Sequence, residues 1–429
     1  MKILLGCHLL FAGSLALVHG IHAQIQASAT RELIWSAPGK EILSPQFSPD
    51  GDFVVLVTRA YWPDGADAEG LPDSFFKRLE VHAKADPRFA DPEIKMISLA
   101  GKVVCEAKYG WNPSVSRDDK RVVFSEQEKP ITGFRELASP EAGNGIRMYD
   151  CGTHQLTKIA DPEEGYLDTP FFSPDGESII YTENEAVNGA YGGSVGIVQF
   201  DLQRRQTTTL VKKETVAAAP CPPPGSKQSG LGTLTCSEVK GLTQSFPRIV
   251  LQAGLVGNDV LALLGTPVPS PGDMYTAQSY DMELVSVLNG EQTLATLGKR
   301  TSESDEDTSF QTVSGGKVLI FSKYWKLLSV ATGKPLPDIG PQNANPKSLY
   351  SPDLKYYARA ESTEPGQDPD HFVLYRTADG KRLQSLRKMT YVYGAVWNSD
   401  SNRLAIVGVP KNGASAMHHV EELIIYSVH

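Results

Sequence analysis

The sequence predicts an all-β chain folded as a seven-bladed β-propeller of four-stranded antiparallel blades, closed by pairing of its N- and C-terminal strands. Three observations predict it. A strand–turn–strand motif holding Ser-Pro-Asp-Gly or a variant recurs about every 58 residues between Asp50 and Asp400. A second hairpin follows each copy, and the last unit lacks one strand that the start of the chain can supply.

The motif is clearest in "TPFFSPDGESIIYTEN", residues 169–184. Pro174 presets φ for the first corner of a turn, Asp175 can bond its own backbone, and Gly176 accepts positive φ. The flanks are β-rich. Related copies are "SPQFSPDGDFVVLVT" from Ser44, "NPSVSRDDKRVVFSE" from Asn112, "FPRIVLQAGLVGNDVLALLG" from Phe246 and "TSFQTVSGGKVLIFSK" from Thr308. Two more, "NPKSLYSPDLKYYARAE" and "YGAVWNSDSNRLAIVG", start at Asn345 and Tyr393.

The second hairpins are "IKMISLAGKVVCEAKY", "GIRMYDCGTHQLTKIA", "GIVQFDLQRRQTTTLV", "ELVSVLNGEQTLATLG", "WKLLSVATGKPLPDIG" and "FVLYRTADGKRLQSLR". Their Asn-Gly, Asp-Gly and Thr-Gly turns are strong hairpin signals. After the seventh motif only "EELIIYSVH" remains, so "TRELIWSAPGKEIL" from Thr30 is the expected missing strand, at about 30–36. Pairing it there covers an otherwise open edge.

"FSPDG" followed by an apolar strand resembles the WD40-like repeat of the C-terminal propeller of TolB and of the propellers of prolyl-oligopeptidase-type enzymes. The match is best in the first and third units, weakest in the fourth and fifth, and spans nearly all of the chain. The extra α/β domain of TolB and the hydrolase domain of the peptidases have no counterpart here. The resemblance therefore implies a fold and not an activity.

Residues 1–23, "MKILLGCHLLFAGSLALVHGIHA", read as a secretory signal peptide: one basic residue, a short apolar stretch, then small residues. The remainder, 24–429, reads as one propeller domain with loop insertions at 59–93 and 212–245. "LLGC" offers Cys7 for lipid attachment, but the main apolar run follows that cysteine, which disfavours the anchor. The expectation is a periplasmic or secreted protein with no membrane span, and a monomer. Beyond Cys7 lie Cys105, Cys151, Cys221 and Cys236, and an even number in an exported chain suggests disulfides. Cys221 with Cys236 would close a local loop, leaving Cys105 with Cys151. A net charge of −9 argues against nucleic acid as a partner.

If the first strand of each blade is innermost, the short turns lie on one face and the long loops on the other. Long insertions gathered on one face build a binding surface in repeat proteins. Tyr61, Trp62, Phe75 and Phe76 fall on one such loop, with Tyr109, Trp111, Tyr191, Tyr391 and Tyr393 expected nearby. Aromatic side chains there anchor partners, or pack the loop onto the blade beneath it.

Three enzymatic signals are weaker. Gly192, Ser194 and Gly196 fit G-x-S-x-G, but a nucleophile elbow needs a following helix, and Ser194 leads into a strand. "HHVEE" offers His418, His419, Glu421 and Glu422 as metal ligands, while His82, His154 and His371 share no repeat position with them. The acidic runs from Asp161 and Ser302 lack calcium-loop spacing. The sequence thus points to a non-enzymatic platform binding a protein or cell-envelope component through its long-loop face, with no cofactor assigned. The alternative is a carbohydrate-active lyase or hydrolase using the mouth of the central channel.

Overall fold

A computed structural model describes residues 28–61, 91–126, 145–162, 165–187, 190–219, 245–270, 279–301, 308–321, 325–336, 348–411 and 419–429; the side chains of 185–187, 190–193 and 325 lie outside the description. No helix occurs among the described residues. The first strand, β1 (Ala29–Pro38), leads into the meander β2 (Lys40–Phe47), β3 (Phe53–Ala60), β4 (Glu93–Ser98) and β5 (Val103–Lys108). A second meander holds β6 (Gly110–Val115), β7 (Arg121–Glu126), β8 (Gly145–Asp150) and β9 (Gln155–Ala160). A third holds β10 (Tyr166–Phe172), β11 (Ser178–Val187), β12 (Ala190–Asp201) and β13 (Gln206–Val211). The short ribbon β14 (Thr215–Ala217) and β15 (Ser245–Pro247) precedes β16 (Ile249–Val256), β17 (Asp259–Pro267), β18 (Ser279–Ser286) and β19 (Gln292–Thr301). Then come β20 (Ser309–Val313), β21 (Lys317–Phe321) and β22 (Trp325–Ser329), and β23 (Ser348–Tyr350), β24 (Tyr356–Glu361), β25 (His371–Arg376) and β26 (Arg382–Ser385). The chain ends with β27 (Tyr391–Trp397), β28 (Arg403–Val409) and β29 (Val420–Val428).

All strand pairings in these sheets are antiparallel, and the sheets are arranged as a propeller ring. The expectation of seven separate four-stranded sheets needs correcting. Among the described residues, five sheets have four strands or more, one has three and one has two. The third and fourth meanders share an eight-stranded sheet because β12 runs through Gly192 and Gly193, so that Ser194 pairs with Val250 of β16. In the fifth unit, where a fourth strand was expected, the described residues hold only an isolated antiparallel bridge of Leu328 with Pro335, flanked by the bonds of the Leu336 amide to the Leu327 carbonyl and of the Ser329 amide to the Lys334 carbonyl; residues 337–347 lie outside the description. The N-terminal strand is longer than expected, Ala29 to Pro38, and pairs with β29 along its length.

The core lies between sheets rather than within one. Second and third strands are nearly continuous apolar runs, such as β3 with Val54, Val55, Leu56 and Val57 all fully buried, because both faces pack on a neighbouring sheet. Val55, Val57 and Ile94 meet Val122 and Phe124 of the next sheet, and Val123 and Ile146 meet Ile179 and Tyr181 of the one after. Ala405, Val407, Leu423 and Ile425 of the last sheet meet Ile42, Val54 and Leu56 of the first.

The Ser-Pro-Asp-Gly turn works as a side-chain clamp. Ser173 Oγ donates to Asp175 Oδ1 at 2.5 Å and accepts from the Ser178 amide at 2.9 Å, while the Glu177 amide donates to Asp175. Ser48 with Asp50, Ser116 with Asp118 and Ser351 with Asp353 repeat it. Gly51 and Gly176 supply the required positive φ, 80° and 74°. The last unit substitutes Asn398, whose Oδ1 accepts from the amides of Asn402 and Arg403. Neighbouring turns are also tied: Ser399 Oγ donates to the Pro49 carbonyl and Ser314 Oγ to that of Pro352.

One turn contact titrates. Asp119, in the second unit, is pushed up to about 7, first by burial and then by the Asp50 carboxylate of the first unit. Asp50 is held below its ordinary value, chiefly through its bond to Asp119. A carboxyl raised on folding binds more protons in the native state, so its share of stability is present at low pH and is lost as pH climbs from about 4 to about 7. Asp119→Asn is expected to flatten that part of the stability profile and to gain stability relative to the parent above pH 7, as urea denaturation across pH 4 to 8 would measure.

Cys105 of β5 and Cys151, just beyond β8, form a disulfide across the first two sheets, closing a sequence separation of 46. Cys221 and Cys236 lie outside the described residues. In the loop-entropy account a closure of this length contributes about 4 kcal/mol. Cys105→Ala/Cys151→Ala is expected to lose most of that in guanidinium unfolding, and reductant should then have no further effect arising from this bridge.

Candidate functional site

The strand direction sorts the loops. The starts of β2, β6, β27 and β29 and the ends of β3 and β28 all reach the face opposite the Ser-Pro-Asp-Gly turns. On that face, where the last sheet meets the first, aromatic and ionised side chains meet in one sector.

Its buried centre is Glu421, on β29, at 3% exposure. Its carboxylate accepts the Ile42 amide at 2.5 Å, the Tyr393 hydroxyl, and Nε2–H of His419 at 2.9 Å. Tyr393 also donates to the Ile42 carbonyl at 3.1 Å. β2, β27 and β29 are thus tied through one side chain. A buried carboxylate persists when its oxygens are used in this way. The ring of His419 is covered by Tyr61, stacked at 3.4 Å between centroids and 5° between planes. Tyr61 sits there because its amide donates to the Gly39 carbonyl, and the Gly39 amide donates to that of His419.

Toward the second sheet, Arg59 donates to Glu41 at 2.8 Å and lies over the Trp111 ring, 5.4 Å from its centroid. Lys40 and Lys95 both hold Glu93. Burial pushes the Glu41 carboxyl above the ordinary range, overriding the Arg59 guanidinium, and Glu421 adds to the rise. Glu93 behaves oppositely: burial is outweighed by Lys40 and Lys95, so it stays lowered. Tyr393 exposes 46% of its surface, yet its hydroxyl end lies in the polar cluster. Burial of that end, and then the Glu421 charge, hold its phenol well above the usual value.

Of the aromatic residues singled out in the sequence, Tyr61, Trp111, Tyr391 and Tyr393 fall in this sector, with the rings of Tyr391 and Tyr393 6.1 Å apart. Tyr109 sits between β5 and β6 at φ 64°, its amide bonded to the Pro92 carbonyl. Trp62, Phe75 and Phe76 lie outside the described residues, as does the side chain of Tyr191. Ser194 is a strand residue whose hydroxyl donates to Asn184 at 2.6 Å, which fits no nucleophile elbow. His418 and His82 are outside the description, His371 is bonded to Asp370, and His154 to Tyr149 on the turn face. Among the described residues no group of three or more His, Cys, Asp or Glu side chains is placed to hold a metal ion.

Sequence reading missed Glu41 and Arg59. Their signal was weak: a charge at the outer end of a strand is common on any sheet, and only the register of β2 on β3, which sets Glu41 opposite Arg59, gives this pair meaning.

No family model and no curated protein matches the sequence. Among solved structures, an oligogalacturonate lyase in complex with manganese is 10% identical, with 94% of this chain and 93% of that chain covered, at a TM-score of 0.50. The β-propeller domain of the Trilobed protease from Pyrococcus furiosus is 8% identical, with 87% and 92% covered and a TM-score of 0.47. TolB from Acinetobacter baumannii is 15% identical, with 70% of this chain and 55% of that chain covered and a TM-score of 0.33. The likeness to the lyase shows a propeller fold and carries no activity with it. No helix among the described residues is long and apolar enough to cross a membrane.

Proposed function

We propose that the chain is an exported, non-enzymatic interaction platform. Its ring has seven blades, and it engages a protein or cell-envelope component through the long-loop sector around Tyr61, Arg59, Trp111, Tyr391 and Tyr393. The observation that carries this reading is the convergence of four aromatic side chains and an arginine, from three different sheets, on one face. Tyrosine, tryptophan and arginine are the residues that dominate interface energies.

Seven core clusters among the described residues support the blade count, each lying between consecutive units and the last joining the final unit to the first. Pairing of β1 with β29 supports closure of that ring. Residues 1–23 act as the leader and 24–429 as the single mature domain in a periplasmic or extracellular setting, where a disulfide such as Cys105–Cys151 persists.

A second reading, the carbohydrate-active enzyme, is favoured by the raised carboxyl of Glu41 near Glu421. It ranks second because Glu421 is buried and committed to three strands. A cross-linked pull-down from envelope extract with residues 24–429, beside Tyr61→Ala/Trp62→Ala, tests the leading reading. A specific species recovered at least tenfold less by the folded variant is the expected result. Equal recovery by both, or no capture by a folded parent, would contradict it.

A further inference from the structure

A cavity of about 740 Å³ lies on the turn face, away from the sector described above. Its wall comes from the inner strands β2, β16, β20, β23 and β27 and from the turns that follow the last four of them. The volume lies within the range of small-molecule sites.

Two features of this wall select a ligand. No lining side chain carries a formal charge at neutral pH: the lining is amide, hydroxyl, glycine, aliphatic and aromatic. An ion entering it gives up water and finds no counter-charge, at a cost of several kcal/mol. The second feature is a division of labour among three glutamines. Gln252 is spent holding the wall, its amide donating to the Phe310 carbonyl and accepting from the Phe310 amide, each at 2.9 Å. Gln311 does the same for the next sheet through Ser348 and Tyr350. Gln46 lines the cavity, is exposed, and makes no side-chain hydrogen bond among the described residues, so its amide is not spent on the wall. Leu349 and Val396 add apolar surface beside it.

We infer that this cavity binds a neutral oligosaccharide of two or three rings, with C–H faces against Leu349 and Val396 and hydroxyls on the Gln46 amide. Such a ligand combines the apolar faces and uncharged hydrogen-bonding groups that the wall can satisfy together. A wholly apolar ligand would strip water from Gln46 without replacing its bonds.

The test is calorimetric titration of residues 24–429 with cellobiose, maltose and N,N′-diacetylchitobiose, with digalacturonate as the charged comparison. Gln46→Leu removes the amide, and Thr312→Trp fills the cavity from an exposed position on β20; thermal melts establish that both are folded. At least one neutral sugar is expected to bind with unit stoichiometry, about fivefold or more weakly to Gln46→Leu and undetectably to Thr312→Trp, with no binding of digalacturonate. Should Thr312→Trp fail to fold, Gln46→Leu decides. Absence of binding by all three neutral sugars, affinity unchanged in the folded variants, or digalacturonate binding as tightly would overturn the assignment. Partner capture through the opposite face is expected to be unaffected by Gln46→Leu, so the two proposals fail separately.

Discussion

Glu421→Leu is expected to destabilise the protein by about 3–5 kcal/mol in urea unfolding at pH 7, among the largest effects of any single substitution. The carboxylate is nearly fully buried and accepts from the Ile42 amide, the Tyr393 hydroxyl and His419 at once. Leucine leaves the Ile42 amide and His419 with nothing to receive them and the Tyr393 hydroxyl with the Ile42 carbonyl alone, and an unmatched buried donor costs about 1–3 kcal/mol. Glu421→Gln keeps an acceptor oxygen and is expected to cost about half as much or less. Equal losses for the two variants would mean that side-chain volume, rather than the polar tie between β2, β27 and β29, sets the stability of this junction.

Removal of residues 28–38, which deletes β1, should have a comparable or larger effect. Along β29 the register runs from Val428 opposite Ala29 to Val420 opposite Pro38, so deletion uncovers a complete strand edge. Leu33, Trp35 and Ala37 also leave the cluster that joins the last sheet to the first. Lost apolar burial from these side chains corresponds to about 5 kcal/mol. An exposed edge carrying Leu423 and Ile425 pairs readily with another chain. The truncated protein is therefore expected to melt lower and to self-associate in light scattering, and a synthetic 28–38 peptide should partly reverse both. A monomer as stable as the parent would show that the ring does not depend on this pairing.

Much of this architecture is legible in the sequence because it rests on local chemistry. Ser48, Ser116, Ser173 and Ser351 each clamp an aspartate two residues on, and that spacing can be read without a structure. What could not be read depends on contacts between units. Gly192 and Gly193 look like a turn, yet β12 continues through them and joins two units into one sheet. The Thr-Gly-Lys signal in the fifth unit does turn the chain back on β22, through Lys334, Pro335 and Leu336, and residues 337–347 lie outside the description. The aromatic members of the candidate sector were visible as residues expected on or near the long-loop face. Their association with Glu41, Arg59 and the His419–Glu421 pair was not, because it requires the first and last sheets to meet around a ring. His419 and Glu421 drew attention as metal ligands; in the fold they bond each other, beneath the Tyr61 ring.

The most direct measurement of the central claim compares the two faces of one ring. A photo-cross-linking amino acid is placed at Tyr61 on the long-loop face and, in a second protein, at Glu177 in an exposed turn of the opposite face, and each is irradiated in envelope extract. The platform reading predicts a discrete cross-linked macromolecule from position 61 and none from position 177. A discrete adduct from position 177 with nothing at position 61 would contradict it and move the interaction surface to the turn face.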